Sequence, residues 1–216
     1  MDLYLVPGLG ADHRLFQRLD LAPHRLHTLD WPVMPDGSHL RDYAAVLVGQ
    51  VDVDHPHVLV GVSMGGMVVQ EMAALTRPVR TIIISSWKGP QEMPPPLKLL
   101  RGTHPERILS KVFIQRSLPF MRWQMGVESA ESSALFDSLL MVHTLAQLKV
   151  QINACLCWDG PAARVEGLVH IHGDHDRLMP IGYIEQPVLV KGGGHFMVFD
   201  RAAEVSERIN AVLAGL

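Results

Sequence analysis

A serine between two glycines, a histidine after three glycines and two aspartates upstream of that histidine carry the chemistry of this sequence. Gly61-Val62-Ser63-Met64-Gly65 is a G-x-S-x-G pentapeptide set between the apolar run His57 to Val62 and the helical stretch Met64 to Thr76. A strand that turns sharply into a helix is how a fold exposes a serine oxygen as a nucleophile. Side chains at 61 and 65 would make the strand and the helix collide around a serine held in strained backbone geometry, so both glycines have a steric role. Ser63 is the candidate nucleophile. A serine hydroxyl attacks poorly at neutral pH, so the chain must also supply a base, a group that orients the base and an oxyanion site. Gly192-Gly193-Gly194-His195-Phe196 follows a short apolar strand, Pro187 to Val190, and makes His195 the candidate base. Its carboxylate partner belongs between serine and histidine in chain order. Two are on offer, Asp174 just after the turn at Gly173 and Asp176 further past the strand end. Asp176 is preferred, with Asp174 read as a turn carboxylate bonding to nearby amides.

Four motifs together resemble the α/β-hydrolase superfamily: Val6-Pro7-Gly8-Leu9-Gly10, Gly61 to Met67, His172-Gly173 followed by Asp176 and Pro180, and Gly194-His195-Phe196. They stand in that superfamily's order and span nearly the whole chain. The runs Pro7 to Asp12, Ile84-Ser85-Ser86 and Gly192 to Met197 are similar to a bacterial subgroup without an assigned substrate. The resemblance implies that Asp176 occupies the acid position and that the backbone amides of Leu9 and Met64 form the oxyanion hole. It implies a serine hydrolase of the carboxylesterase kind, acting through an acyl-enzyme on a small ester or thioester and needing no cofactor. Two departures stand out. Pro7-Gly8 replaces the His-Gly of many members, which removes an amide at 7 but not at 9 or 64. The first strand also runs straight into the oxyanion loop, so the sheet should be a trimmed one.

The elements that must hold these residues are legible as apolar runs alternating with helical patterns, which implies βαβ units and a mostly parallel sheet. Candidate strands are Leu3 to Val6, Arg25 to Leu29, His57 to Val62, Thr81 to Ser85, Leu168 to His172 and Pro187 to Val190. Candidate flanking helices are Leu40 to Val51, Met64 to Thr76 and Ala202 to Leu213. Residues 1–86 and 166–216 thus read as an α/β-hydrolase core domain, interrupted by a helical lid insertion over 87–165. Within the insertion, helix-like segments are expected at Pro96 to Arg101, Pro105 to Gln115, Ala134 to Leu140 and Leu145 to Cys155. A lid there would roof Ser63, and Trp87, Phe113, Phe120, Met121, Trp123 and Met125 are candidates for its lining. Near the oxyanion loop, Asp12 reads as a helix N-cap and His13 as a rim residue within reach of substrate.

Other chemistries fit the sequence less well. His170-Ile171-His172-Gly173-Asp174-His175 has the spacing of a dinuclear zinc site, but one histidine, His195, follows it, and alternation places His170 and His172 on one face of a buried strand. No metal is expected. Gly8-Leu9-Gly10 with Asp30 imitates a dinucleotide fingerprint, yet position 13 is histidine where a third glycine is required. No P-loop motif is present. A formal net charge of -3 without a Lys/Arg cluster argues against nucleic acid and anionic membrane as partners, leaving a small-molecule substrate. No apolar run long enough to span a bilayer occurs, and Met1-Asp2-Leu3-Tyr4 is unlike a secretory leader, so a cytoplasmic protein is expected. Cys155 and Cys157 are read as reduced helix residues. A small-ligand binding or receptor protein on the same fold is the alternative from another functional class.

Overall fold

The computed structural model describes residues 1–216. Six strands, β1 (Asp2–Val6), β2 (Arg25–Thr28), β3 (His57–Val62), β4 (Arg80–Ile84), β5 (Leu168–Gly173) and β6 (Val188–Val190), form one sheet in the order β2-β1-β3-β4-β5-β6. Every neighbouring pair is parallel. β1, β3 and β4 are covered on both faces, so they read as unbroken apolar runs without alternation.

One face of the sheet packs on α1 (Leu40–Val48) and α2 (Met64–Thr76). The other is covered by α7 (Met197–Asp200) and α8 (Ala202–Leu213), with Val205, Ile209 and Leu213 set at helical spacing against Leu3, Leu5 and Ile171. Helix α1 ends three residues earlier than the sequence pattern suggests. There the amides of Gln50 and Val51 fall back to the carbonyls of Leu47 and Val48, tightening the last turn into 3₁₀ geometry.

Between β4 and β5 the chain builds α3 (Pro95–Leu100), a 3₁₀ turn (Pro105–Ile108), α4 (Lys111–Met125), α5 (Ala130–Val142) and α6 (Leu145–Leu156). The helix expected over Pro105 to Gln115 is divided. Leu109 is extended, and the Ser110 hydroxyl accepts from the Phe113 amide at 3.1 Å, capping a new helix. That helix then runs through Pro119 to Met125, ten residues beyond the expected end at Gln115, and is capped by a left-handed Gly126. Pro119 removes one amide and lowers helix propensity without stopping a helix whose inner face is packed. No single helix in the chain is long and apolar enough to cross a membrane.

Candidate active site

The turn from β3 into α2 explains the first motif. Ser63 has φ 54° and ψ -118°, an unusual conformation for a residue with a side chain. A Cβ at Gly61 would lie 2.2 Å from the Gly65 carbonyl oxygen, and one at Gly65 would lie 2.2 Å from the Val6 oxygen and 2.4 Å from that of Pro7. All three neighbours are backbone and cannot swing aside. Gly65→Ala is therefore expected to lower unfolding free energy by about 4 kcal/mol or more, beyond the usual range of point substitutions, as read from the denaturant midpoint. The elbow is also held from below, where the Ser86 hydroxyl donates to the Ser63 carbonyl at 2.8 Å.

The imidazole of His195 reaches this serine from the far side of the sheet. Nε2 lies 3.0 Å from Ser63 Oγ, and Nδ1 lies 2.7 Å from Asp176 Oδ2. Asp176 Oδ1 accepts from the amides of Leu178 and Met179, at 2.9 and 2.8 Å, which fixes the carboxylate plane. Burial alone would raise the Asp176 carboxyl. The adjacent His195, with its hydrogen bond, and His172 and the Met179 amide outweigh that, so the net direction is down from the ordinary carboxylate value. An ionised Asp176 accepts the Nδ1 proton and leaves the Nε2 lone pair facing the serine hydroxyl. Asp174, the other candidate, accepts instead from the Gly192 amide and supports the loop that carries His195.

Two backbone amides close to Ser63 in the fold or in sequence carry no hydrogen bond to the protein. Leu9 donates to no protein acceptor, and Met64 opens α2, where an amide has no intrahelical partner. The Gly8 carbonyl is held away from the site by Trp31 Nε1 at 2.9 Å and by the Ala11 amide at 3.1 Å. Gln151 on α6, 1% exposed, accepts from the Gly10 amide at 2.9 Å, tying the oxyanion loop to the helical insertion. Met125 ties the insertion to the histidine loop in turn, its carbonyl accepting from the Phe196 amide at 2.9 Å.

Ser63 and His195 open on a cavity of about 380 Å³. Its wall is overwhelmingly apolar, with Leu97, Leu100, Met121, Leu139, Leu140 and Ile152 supplied by the insertion. Trp87 is part of the wall, as expected from the sequence, but His13, Phe113 and Trp123 are not. His13 sits outside, its Nδ1 2.9 Å from Asp30 Oδ2, both side chains about half exposed. Phe113 and Trp123 are 55% and 57% exposed, and Phe120 lies on the same outer side at 60%. The Arg177 guanidinium stacks 5.0 Å from the Trp123 ring and donates to its carbonyl. Helical phase explains the error: Ile114, Leu118, Met121 and Met125 form the i, i+4, i+7, i+11 stripe of α4 that turns inward, which puts the aromatic residues outside. That stripe was readable from the sequence. The wall residue that composition could not have signalled is Glu106, a carboxylate among aliphatics.

The His170 to His175 segment does not gather ligands. His172 Nε2 donates to the Met179 carbonyl at 2.8 Å, and its Nδ1 accepts from His170 Nε2 at 3.2 Å. No group of three His, Cys, Asp or Glu side chains is arranged to hold a metal ion. Burial pushes His170 down to about 2, with His172 and Lys88 adding to it, and burial also lowers His172. Both are neutral in the fold, whereas an unfolded chain protonates histidine near about 6.5. Below that pH the unfolded state binds more protons, so stability is full above about 6.5 and is lost as pH falls towards the folded values. The denaturant midpoint is expected to decline from about pH 6.5 downward, by up to roughly 1.4 kcal/mol per pH unit for each histidine. His170→Asn should flatten that slope, and an unchanged slope would contradict it.

A wholly parallel sheet with a strained serine at a strand-to-helix turn, and a histidine and an aspartate brought to it by later loops, defines a hydrolase architecture. The chain belongs to the alpha/beta hydrolase family, whose sequence profile matches residues 3–208. No curated protein matches it. Among solved structures it is similar to an esterase from Thermogutta terrifontis, with TM-score 0.78, 17% identity and coverage of 100% of this chain and 90% of that one. A hydrolase from Pseudomonas aeruginosa PA01 gives TM-score 0.75 and 16% identity over 98% of this chain and 89% of that one. The RedJ thioesterase of the prodiginine biosynthetic pathway in Streptomyces coelicolor gives 0.69 and 16%, over 98% and 90%. At such identities these likenesses speak for the fold.

Proposed function

We propose that this protein is a serine hydrolase that cleaves small carboxylic esters or thioesters through Ser63, His195 and Asp176. The observation that carries the reading is the unbroken hydrogen-bonded chain, 3.0 Å from Ser63 to His195 and 2.7 Å from His195 to Asp176, at an apolar cavity. His195 Nε2 takes the serine proton as Oγ attacks the carbonyl carbon. The carbonyl oxygen becomes an anion held by the amides of Leu9 and Met64, the latter at the positive end of a 13-residue helix. His195 returns the proton to the departing alcohol or thiol, leaving an acyl-enzyme. Water, deprotonated by the same nitrogen, then releases the acid and restores the serine. The insertion acts as a lid that roofs the site and sets chain length.

An esterase and a thioesterase among the structural neighbours support this choice of substrates. The test is stoichiometric labelling of Ser63 by a fluorophosphonate, lost in His195→Ala, together with a ladder of p-nitrophenyl esters and acyl thioesters of increasing chain length. Labelling with a defined length optimum is expected. A small-ligand binding protein on this fold would bind members of the ladder without turnover. A zinc hydrolase would lose activity to a chelator and keep it in Ser63→Ala.

A further inference from the structure

The cavity contains one feature that an aliphatic ester does not need. Glu106, on the 3₁₀ turn Pro105–Ile108, is 7% exposed and forms part of the wall together with Leu97, Leu100, Leu109 and Ile152. It is the only carboxylate in that wall, which holds no lysine or arginine. One oxygen, Oε1, is 3.1 Å from His104 Nδ1, while Oε2 is buried with no hydrogen-bond partner. Trp87 Nε1, in the same wall, is likewise buried and unpartnered. Buried polar atoms in folded proteins are nearly all paired, because an unmade hydrogen bond away from water costs the group its full desolvation. A leucine would close this wall more cheaply. A carboxylate with an unpaired, buried oxygen in the wall of an otherwise apolar chamber is what a chamber built around one polar group requires.

We infer that Glu106 selects substrates whose chain carries a hydrogen-bond donor, a hydroxyl in the simplest case, remote from the scissile carbonyl. This rests on the reading of Ser63 as the nucleophile. A hydroxyl that reaches Glu106 donates to its unpaired carboxylate oxygen, whereas a methyl terminus leaves that oxygen without a partner. Loss of such a match is the larger form of discrimination, since a site built to bond a hydroxyl rejects the analogue that lacks one more strongly than an apolar pocket rejects an extra methylene.

The experiment compares kcat/KM for p-nitrophenyl esters of straight-chain acids with their ω-hydroxy counterparts at each chain length. A parallel panel places the hydroxyl on the alcohol side, as ω-hydroxyalkyl against alkyl acetates. In the unsubstituted protein the hydroxylated member of the best-fitting length is expected to lead by about tenfold or more. In Glu106→Leu the order should invert in favour of the plain chain, while Glu106→Gln, which keeps an acceptor, should retain part of the preference. Each ratio is internal to one protein preparation, so a reduced folded fraction cancels. Equal ratios in the unsubstituted protein and Glu106→Leu, in both panels, would overturn the inference. Ser63 labelling by the fluorophosphonate separates the two levels: with labelling intact only the role of Glu106 falls, and without it the hydrolase reading falls first.

Discussion

Ser63→Ala is expected to reduce kcat on the best ester of the chain-length ladder by about a millionfold, with His195→Ala equally severe. The two side chains act as one unit, because the oxygen attacks only as its proton leaves for Nε2 across the 3.0 Å contact. The double substitution should therefore cost no more than either alone, and this non-additivity separates a shared step from two independent binding contacts. What survives is catalysis by the two amides and the cavity, which need neither side chain. Ser63 is also a strained position, so replacing its hydroxyl leaves the backbone problem unchanged and should leave unfolding free energy nearly as it was. Rates of Ser63→Ala are to be measured after treatment with the fluorophosphonate, which silences contaminating serine esterases and finds no nucleophile at position 63. A Ser63→Ala protein within about tenfold of the parent rate would show that another group does the attack.

The core of the fold, and the convergence of Ser63, His195 and Asp176 from distant parts of the chain, were legible because hard geometric demands left marks on residue type. Helix α2 begins and ends where the sequence pattern put it, at Met64 and Thr76, since the elbow needs glycine at 61 and 65 and the apolar periodicity runs without interruption. The strands differ from their expected ends by about one residue, the usual ambiguity of where a ladder stops. The insertion was less legible. Its helices answer to packing against one another and the cavity, so no single residue type is compulsory at any position. Pro119 lies inside α4 without stopping it, while Gly126, whose left-handed φ of 68° does end α4, is one glycine among 18. Of the six apolar residues expected in the lining, Trp87, Met121 and Met125 are there and Phe113, Phe120 and Trp123 are not, because placement on a helix follows phase and phase gave Met121 and Met125 the inner positions. Glu106 left no trace, because a charged residue in a short turn ordinarily faces water.

The helices between β4 and β5 bond to the loop after β1 and to the loop that carries His195. Gln151 holds the oxyanion loop through the Gly10 amide, and the end of α4 holds the histidine loop through Phe196. Both bonds are backbone or buried, so a shift of α4 or α6 displaces loops on either side of Ser63. On the proposed hydrolase reading, substitutions in these four helices that widen the cavity should alter kcat along with KM.

Asp176→Asn is expected to lower kcat by about ten-thousandfold while leaving the fold and KM nearly intact. The carboxylate has two distinct tasks. Oδ1 accepts from the Leu178 and Met179 amides, and Oδ2 accepts from His195 Nδ1. An asparagine has one oxygen, and the two backbone donors claim it, which turns its NH₂ group towards the imidazole. The ring then answers with the opposite tautomer: Nδ1 becomes the acceptor and the proton moves to Nε2. Nε2–H points at Ser63 Oγ with nothing left to receive the serine proton, although every heavy atom is within a fraction of an ångström of its place. His172 does not substitute, because its Nε2 is committed to the Met179 carbonyl at 2.8 Å and lies 3.7 Å from the Asp176 carboxylate. Proton NMR of the imidazole, with the signal shifted from Nδ1–H to Nε2–H, measures the cause, and kcat measures the consequence. A substituted protein that kept Nδ1–H and lost the same activity would place the role of Asp176 in charge alone, with the tautomer argument set aside.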